Sequence, residues 1–408
     1  MSSSKTPSTW IMFVILLISA ITVSVSQLKI SAVLPQTAEM LSVDLTQASL
    51  LMSLFTVAGI VLSIPGAALM GKTGSKNMLL ILMGCLVVGN VIGAVTDSFP
   101  VVMASRIIEG VSYALIITVG VSLINMWFEG GMIGTATGIF NTFAAAANFI
   151  AMNGSLMLLN ATGNNLKMLW WVTGAIAAVC FALVLLFIRE PERAHAAEGA
   201  AAPSATIGEA LKNPALIFIC IAHLALSFVL FSIMTCYPQI FSFYGIDQTT
   251  ANFYSSLNGL FGIPVCIICG IVVGKTGKPF HVAAIGAIGT ALMVFAIPYL
   301  GPSTYVLHVL ASAIFPGGLV MTSIFIITPM IARSPKLIPL SMGVLNTLYY
   351  IGVFASTPVI TALSEGNTNW VNPSLVLTAA SVVVLVCVCL AMAAAKKQEA
   401  EDLAALEA

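Results

Sequence analysis

Apolar residues run along this chain in blocks of about twenty or more, separated by short polar turns. Since about 20 apolar residues of helix cross the hydrocarbon of a bilayer, the blocks predict twelve transmembrane helices. Their bounds are 10–34, 46–70, 77–96, 100–126, 132–158, 167–188, 213–241, 249–273, 280–299, 303–330, 338–363 and 371–395. The first block reads as a span rather than a cleaved leader, because it is long, carries Lys29 and lacks a small-residue cleavage pattern. The longest polar stretch, 190–212, is rich in Ala, Gly, Pro and charge, too little to build a core. It reads as a linker with a short helix near Ile207–Leu211, and divides the chain into six-helix halves, 1–189 and 213–408.

Composition agrees: 59% of the 408 residues are hydrophobic and only 7% charged, with a mean hydropathy of +1.06. That is a polytopic membrane protein, with the lipid bilayer as solvent. Net charge is zero and no basic run exists, which argues against nucleic acid as a partner. All eight cysteines lie in apolar blocks; Cys266 and Cys269 form a C-x-x-C with no second pair and no nearby His, so no metal or cofactor is expected. Without a nucleotide loop or a nucleophile constellation, an enzyme is not expected either. Lys and Arg of the tails and alternate loops fall on one side of the membrane, and Lys167 alone on the other. This bias predicts cytoplasmic termini. Trp10, Trp127, Trp170, Trp171 and Trp370 stand at span ends, where indole prefers to sit.

Against so apolar a background, Lys29 and Arg106 stand out. A cation at the bilayer centre costs roughly 2.5–3.5 kcal/mol on insertion scales, so each needs a partner or a water-filled cavity. Counted from the span ends, both lie about 9 Å deep. Helical spacing puts Arg106, Glu109, Gly110, Tyr113 and Ile117 on one stripe, with Arg106 and Glu109 an i,i+3 pair. Thr22, Ser26, Lys29 and Val33 share one face of the first span, and Ser24, Gln27 and Ser31 the opposite one, as suits a helix beside a wet cavity. With all three ionised, Lys29, Arg106 and Glu109 sum to +1, suited to one small carboxylate. Arginine offers a planar fork and lysine a mobile point charge. An anion taking over Arg106 would release Glu109 to accept a proton, which predicts proton-coupled symport. The plainer alternative is a structural Arg106–Glu109 pair, with Lys29 reaching toward the interface. Asn141 and Asn148 share a face of the fifth span, and Asn346 and Tyr350 a face of the eleventh; helix–helix hydrogen bonding competes with substrate contact for each. His223, near the middle of the seventh span, is a candidate proton carrier, and His308 with Ser312 a weaker one. Tyr237, Tyr244, Tyr254 and Tyr349 suggest an aromatic wall.

The halves repeat at slightly over 200 residues. Gly71-Lys72-Thr73-Gly74-Ser75-Lys76 follows the second span and Gly274-Lys275-Thr276-Gly277-Lys278 the eighth. Gly138-Ile139-Phe140-Asn141-Thr142 in the fifth is matched by Gly343-Val344-Leu345-Asn346-Thr347 in the eleventh. A duplicated six-helix unit with its binding site between halves is a recurring transporter design.

Twelve spans, a central linker and these basic glycine loops resemble the major facilitator superfamily. Lys72, Gly74 and Lys76 fit the glycine and basic positions of its G-x-x-x-D-R-x-G-R-K loop, and Gly270, Lys275, Gly277 and Lys278 fit a second copy; Gly71 and Gly274 stand where the family has Asp. Arg106-Ile107-Ile108-Glu109-Gly110 is similar to its R-x-x-x-G pattern in the fourth span. The resemblance implies an all-α fold of twelve transmembrane helices in two pseudo-symmetric halves, gating by the two loops, alternating access, usually as a monomer, and a place in the cell (inner) membrane. Ser26-Gln27-Leu28-Lys29-Ile30 before Leu34-Pro35 resembles the cyanate/nitroimidazole permease-like branch, and a basic residue in the first span resembles organic-anion symporters. What this implies is a small-molecule anion carried with protons. The expected substrate site is Lys29, Arg106, Tyr113, Gln27, Asn141, Asn346 and Tyr350, with Glu109 and His223 coupling protons. A proton-coupled exporter of apolar or aromatic compounds is the alternative, weakened because no Gly-Pro motif occurs in the fifth span.

Overall fold

The computed structural model describes residues 7–128, 136, 139–140, 142–190, 207–332 and 337–407. Among them the chain is helical, with no strand, and separates into two compact units, Met1–Ala202 and Pro203–Ala408. Eleven described helices are long and apolar enough to cross a membrane; Pro279–Phe295, at 17 residues, is shorter.

The first unit holds α1 (Pro7–Leu28), α2 (Leu34–Met40), α3 (Leu45–Thr73), α4 (Ser75–Val95), α5 (Phe99–Trp127), α6 (Phe143–Ala161) and α7 (Lys167–Phe187). Most bounds fall within three residues of the expected spans. The first differs: it is not one helix but α1, a 3-10 turn at Ser31–Val33, and α2. Pro35 explains the break, since it donates no N–H to the carbonyl four residues back and its ring crowds that carbonyl. The interruption lies beside Lys29, within the apolar span. Helix α3 starts on a capping box, with the Asp44 carboxylate accepting from Gln47 N (2.7 Å) and the Gln47 amide oxygen from Asp44 N (3.1 Å). Residues 132–135, 137–138 and 141 at the start of the expected fifth span, Gly138 and Asn141 among them, lie outside the described residues, as does 191–206 of the linker.

In the second unit α8 (Ile207–Ala210) precedes α9 (Pro214–Phe243), α10 (Gln248–Thr276) and α11 (Pro279–Phe295). Then come α12 (Tyr305–Ser312), a π-helical stretch (Ala313–Val320), α13 (Met321–Met330), α14 (Ile338–Leu363) and α15 (Val371–Glu407). The tenth span is thus three pieces. Pro316 sits inside the π stretch. The Phe315 ring lies where a Cβ would stand at Gly289 of α11.

The repeated loops share one physical requirement. Gly74 ends α3 at φ 83° and Gly277 ends α10 at φ 60°, left-handed conformations that glycine adopts without steric cost. Gly71 and Lys72 lie in the last turn of α3, and Gly274 and Lys275 in the last turn of α10; their side chains are outside the described residues. The Lys76 backbone N–H donates to the Glu190 carboxylate, and Lys76 Nζ reaches Leu185 O at 3.3 Å. Lys278 is the N-cap of α11.

Candidate functional site

Helix α5 supplies the centre of the first unit's polar core. Its Arg106 and Glu109 are separated by one helical turn, and both are fully buried. Glu109 Oε2 accepts from Ser26 Oγ at 2.6 Å, Arg106 Nη1 at 2.7 Å and Lys29 Nζ at 3.0 Å, while Oε1 accepts from Trp170 Nε1 at 3.1 Å. Lys29 Nζ also donates to Asn90 Oδ1 (2.6 Å), and its ammonium stands 4.7 Å from the Trp170 ring centroid. The Asn90 amide nitrogen is tied to Leu86 O at 2.8 Å, which turns its oxygen toward the lysine. The expected i,i+3 pair is therefore present, with Lys29 on the same carboxylate.

Arg106 also mends the broken first span. The last carbonyls of a helix have no partner within it. Here Arg106 Nη1 donates to Ser26 O at 2.8 Å and Nη2 to Gln27 O at 3.1 Å, capping α1 with a positive charge at its negative dipole end. Nε donates to Leu51 O of α3 at 3.0 Å, and the Arg106 Cζ lies 4.4 Å from the Phe55 ring centroid. One guanidinium thus joins α1, α3 and α5.

Small residues admit this cluster. A Cβ at Gly110 would overlap the Phe55 carbonyl, so glycine lets α3 and α5 touch backbone to backbone. A Cβ at Gly89 would stand 2.8 Å from Glu109 N and 2.9 Å from Ser105 O.

Several expectations need correcting. Lys29 (1% exposed), Arg106 and Glu109 (both 0%) are not open to water, and Trp170 packs against the cluster. Ser24 and Gln27 are buried rather than facing a wet cavity, and Gln27 contributes its backbone oxygen. Ile117 leaves the buried α5 stripe at 46% exposed. Trp170 is a buried hydrogen-bond donor, not an interfacial anchor, whereas its neighbour Trp171 is 46% exposed.

Tyr113 packs against Phe55, ring centroids 5.9 Å apart. Asn141 is outside the described residues; Asn148 is buried with neither side-chain atom hydrogen-bonded. Three expected residues belong to the second unit. Asn346 is half-buried on α14, and Tyr350 packs edge-on against Tyr349 at 5.3 Å. His223 is buried between Tyr349 (stacked, 5.3 Å) and Phe325 (5.6 Å), with no hydrogen bond at either ring nitrogen. His308 is held at both ring nitrogens: Nε2 faces Met293 O at 3.0 Å, where only a donor fits, and Nδ1 lies 3.0 Å from the Tyr237 hydroxyl. Tyr237, Tyr254, Tyr305 and Phe241 form an aromatic cluster, joined by Tyr244, while Tyr349 pairs instead with His223.

Sequence reasoning missed Asn90, the Ser26 hydroxyl and Trp170 as members of the charged cluster. Asn90 had a visible signal, being a lone amide between Gly89 and Gly93 in an apolar helix.

No curated protein matches the chain. Residues 12–357 match the family model of the Major Facilitator Superfamily. That stretch runs from α1 into α14 and contains the whole cluster around Glu109, and the chain is a member of the Major Facilitator Superfamily, a secondary transporter set in the membrane by many apolar helices.

Proposed function

We propose that this transporter carries a small organic anion, with a carboxylate as its recognised group, together with a proton. The observation that supports this most is the charge of the buried cluster. Lys29, Arg106 and one carboxylate, Glu109, make +1 when ionised, and Glu109 is the only buried carboxylate among the described residues. Charge taken out of water is costly unless paired, so the cluster has an unmet demand for one anion. Arg106 is engaged by three backbone carbonyls and Glu109. Lys29, on a flexible stem, is the cation free to exchange partners. A substrate carboxylate takes the place of Glu109 at Lys29, and Glu109 keeps Arg106, Ser26 and Trp170 or accepts a proton.

Proton uptake balances the charge. Loaded with an anion alone the cluster sums to zero; loaded with an anion and a proton it remains +1, as when empty. Symport thus avoids a change of buried charge between the two states that must cross. This reading suits the resemblance to organic-anion and cyanate-type permeases, and the bias of Lys and Arg supports cytoplasmic termini. His223 has no hydrogen-bonding neighbour to hold a charged ring, so the coupling role rests on Glu109.

The experiment is uptake of labelled carboxylates into proteoliposomes under an imposed pH gradient, with Glu109→Gln and Lys29→Gln. Glu109→Gln is expected to lose gradient-driven accumulation while retaining exchange of internal for external substrate, and Lys29→Gln to lose both. Accumulation that persists in Glu109→Gln would remove Glu109 from coupling. Undiminished flux of an uncharged aromatic compound by Lys29→Gln would instead favour the exporter.

A further inference from the structure

Helices α1, α6 and α7 enclose a hollow of about 360 Å³ that ends on Lys29. Its lining follows helical stripes: Ile18, Ile21, Thr22 and Val25 on α1 and Lys29 just past its end, with Ile150 to Leu158 of α6 and Leu169 to Ile176 of α7 opposite. The eleven steps from Ile18 to Lys29 span about 16 Å at 1.5 Å per residue. The two ends differ. Lys29 is 1% exposed, beside the buried Leu169, while Ile18, Ile150 and Ile176 are each more than 40% exposed. The hollow is therefore closed at its Lys29 end and open at the other.

Its walls hold almost no polar chemistry. The Thr22 hydroxyl is turned back onto Ile18 O at 2.8 Å and that of Thr173 onto Leu169 O at 2.6 Å. Those hydroxyl protons are spent on their own helices, so Lys29 is the wall's one ionisable group. A ligand lying here meets Lys29 at one end, the Ser155 hydroxyl, and otherwise hydrocarbon; the Lys29 ammonium, held by Glu109, Asn90 and Ser26 outside the hollow, turns from them to meet an anion. Burying a second charge there would lack any partner, whereas each methylene buried favours binding roughly fourfold.

We infer that this hollow is the subsite for the body of the anion, and that the substrate class is an amphiphilic monocarboxylate: one carboxylate at Lys29 and an unbroken aliphatic or arylalkyl chain of up to about ten carbons along α1, a length set by the helical rise. This inference rests on anion recognition by Lys29, as proposed above, and adds to it a length and a polarity rule. Dicarboxylates and small inorganic anions are poor ligands by the same rule. Gly154 marks the middle of the hollow; a Cβ there would have the Ile150 Cγ2 at 4.0 Å as its nearest neighbour, so a side chain fits without displacing the wall and fills the space instead.

The test is displacement of labelled octanoate from the purified chain in nanodiscs by acetate, butyrate, octanoate and suberate, the last matching octanoate in length with a second carboxylate. Affinity is expected to rise roughly fourfold per methylene from acetate to octanoate, with suberate at least about 100-fold weaker than octanoate. Gly154→Leu is expected to lower the octanoate-to-butyrate affinity ratio at least tenfold, and Gly154→Ala to lower it less. Lys29-dependent binding with no length preference, or with suberate equal to octanoate, would overturn the subsite and leave anion recognition standing. Binding of every acid unchanged in Lys29→Gln would overturn both. The wild-type comparison decides the matter even if Gly154→Leu fails to fold.

Discussion

The sharpest test of the architecture is Arg106→Lys, which keeps the charge and removes the fork. The guanidinium donates to Ser26 O, Gln27 O, Leu51 O and Glu109 from three nitrogens held in one plane. An ammonium is a single point. It can keep Glu109 and one carbonyl, but cannot reach α3 and the end of α1 together. Two buried carbonyls then lose their donor, at about 1–3 kcal/mol each, or about 2–6 kcal/mol in total. For a unit of this size each kcal/mol moves the melting temperature by about 2–4 °C, so a fall of roughly 5–20 °C is expected. Thermal scanning of purified protein in detergent reads this directly. Because net charge is unchanged, a loss of stability cannot be assigned to an unpaired Glu109. A fall of less than about 2 °C on the same scale would mean the broken helix is held by something other than the arginine fork.

Other outcomes follow from the same geometry. Gly110→Ala would gain about 1 kcal/mol of helix propensity in an open helix, but here its methyl meets the Phe55 carbonyl, and overpacking by about 1–3 kcal/mol is expected to prevail; a raised melting temperature would contradict backbone contact between α3 and α5. Gly352→Ala should behave alike in the second unit, where a Cβ would meet the Leu224 carbonyl and the Ser227 hydroxyl. At the N-cap of α10, hydrogen bonds from Thr250 hold the Asp247 carboxyl below its usual range. A depressed value stabilises the fold above the ordinary carboxylate range and is lost as pH falls through the lower folded value. The difference in melting temperature between the native chain and Asp247→Ala should therefore stay constant above about pH 5 and shrink in stronger acid; a difference that grows on acidification would contradict the cap.

Much of this fold was legible in the residues because hydrophobic length is a local property. Helices α4, α5 and α7 begin and end within two residues of the expected bounds. The Arg106–Glu109 pair was legible for the same reason, being one turn apart. Lys29 was placed near it only through an argument from depth, and that argument misjudged the surroundings. Counting residues from the nearest span end measures distance along a helix, not what lies between that point and water. The burial of the cluster depends on the end of α1 at Leu28 and on contacts some 60 to 80 residues apart in sequence. Asn90 was missed because an amide in an apolar helix is equally at home bonding a neighbouring helix. Trp170 was misread because a span-end indole facing lipid headgroups and one turned inward have the same sequence position.

Trp170 carries one more consequence. Its indole N–H is bound to Glu109 and its ring faces the Lys29 ammonium. Indole absorption and emission move with the electric field across the ring, so any charge that enters or leaves this spot is written into its colour. Replacing Trp10, Trp127, Trp171 and Trp370 with phenylalanine would leave a single indole in the chain. Under the proposed binding of an anion at Lys29, such a protein would report its own cargo optically, with no label attached.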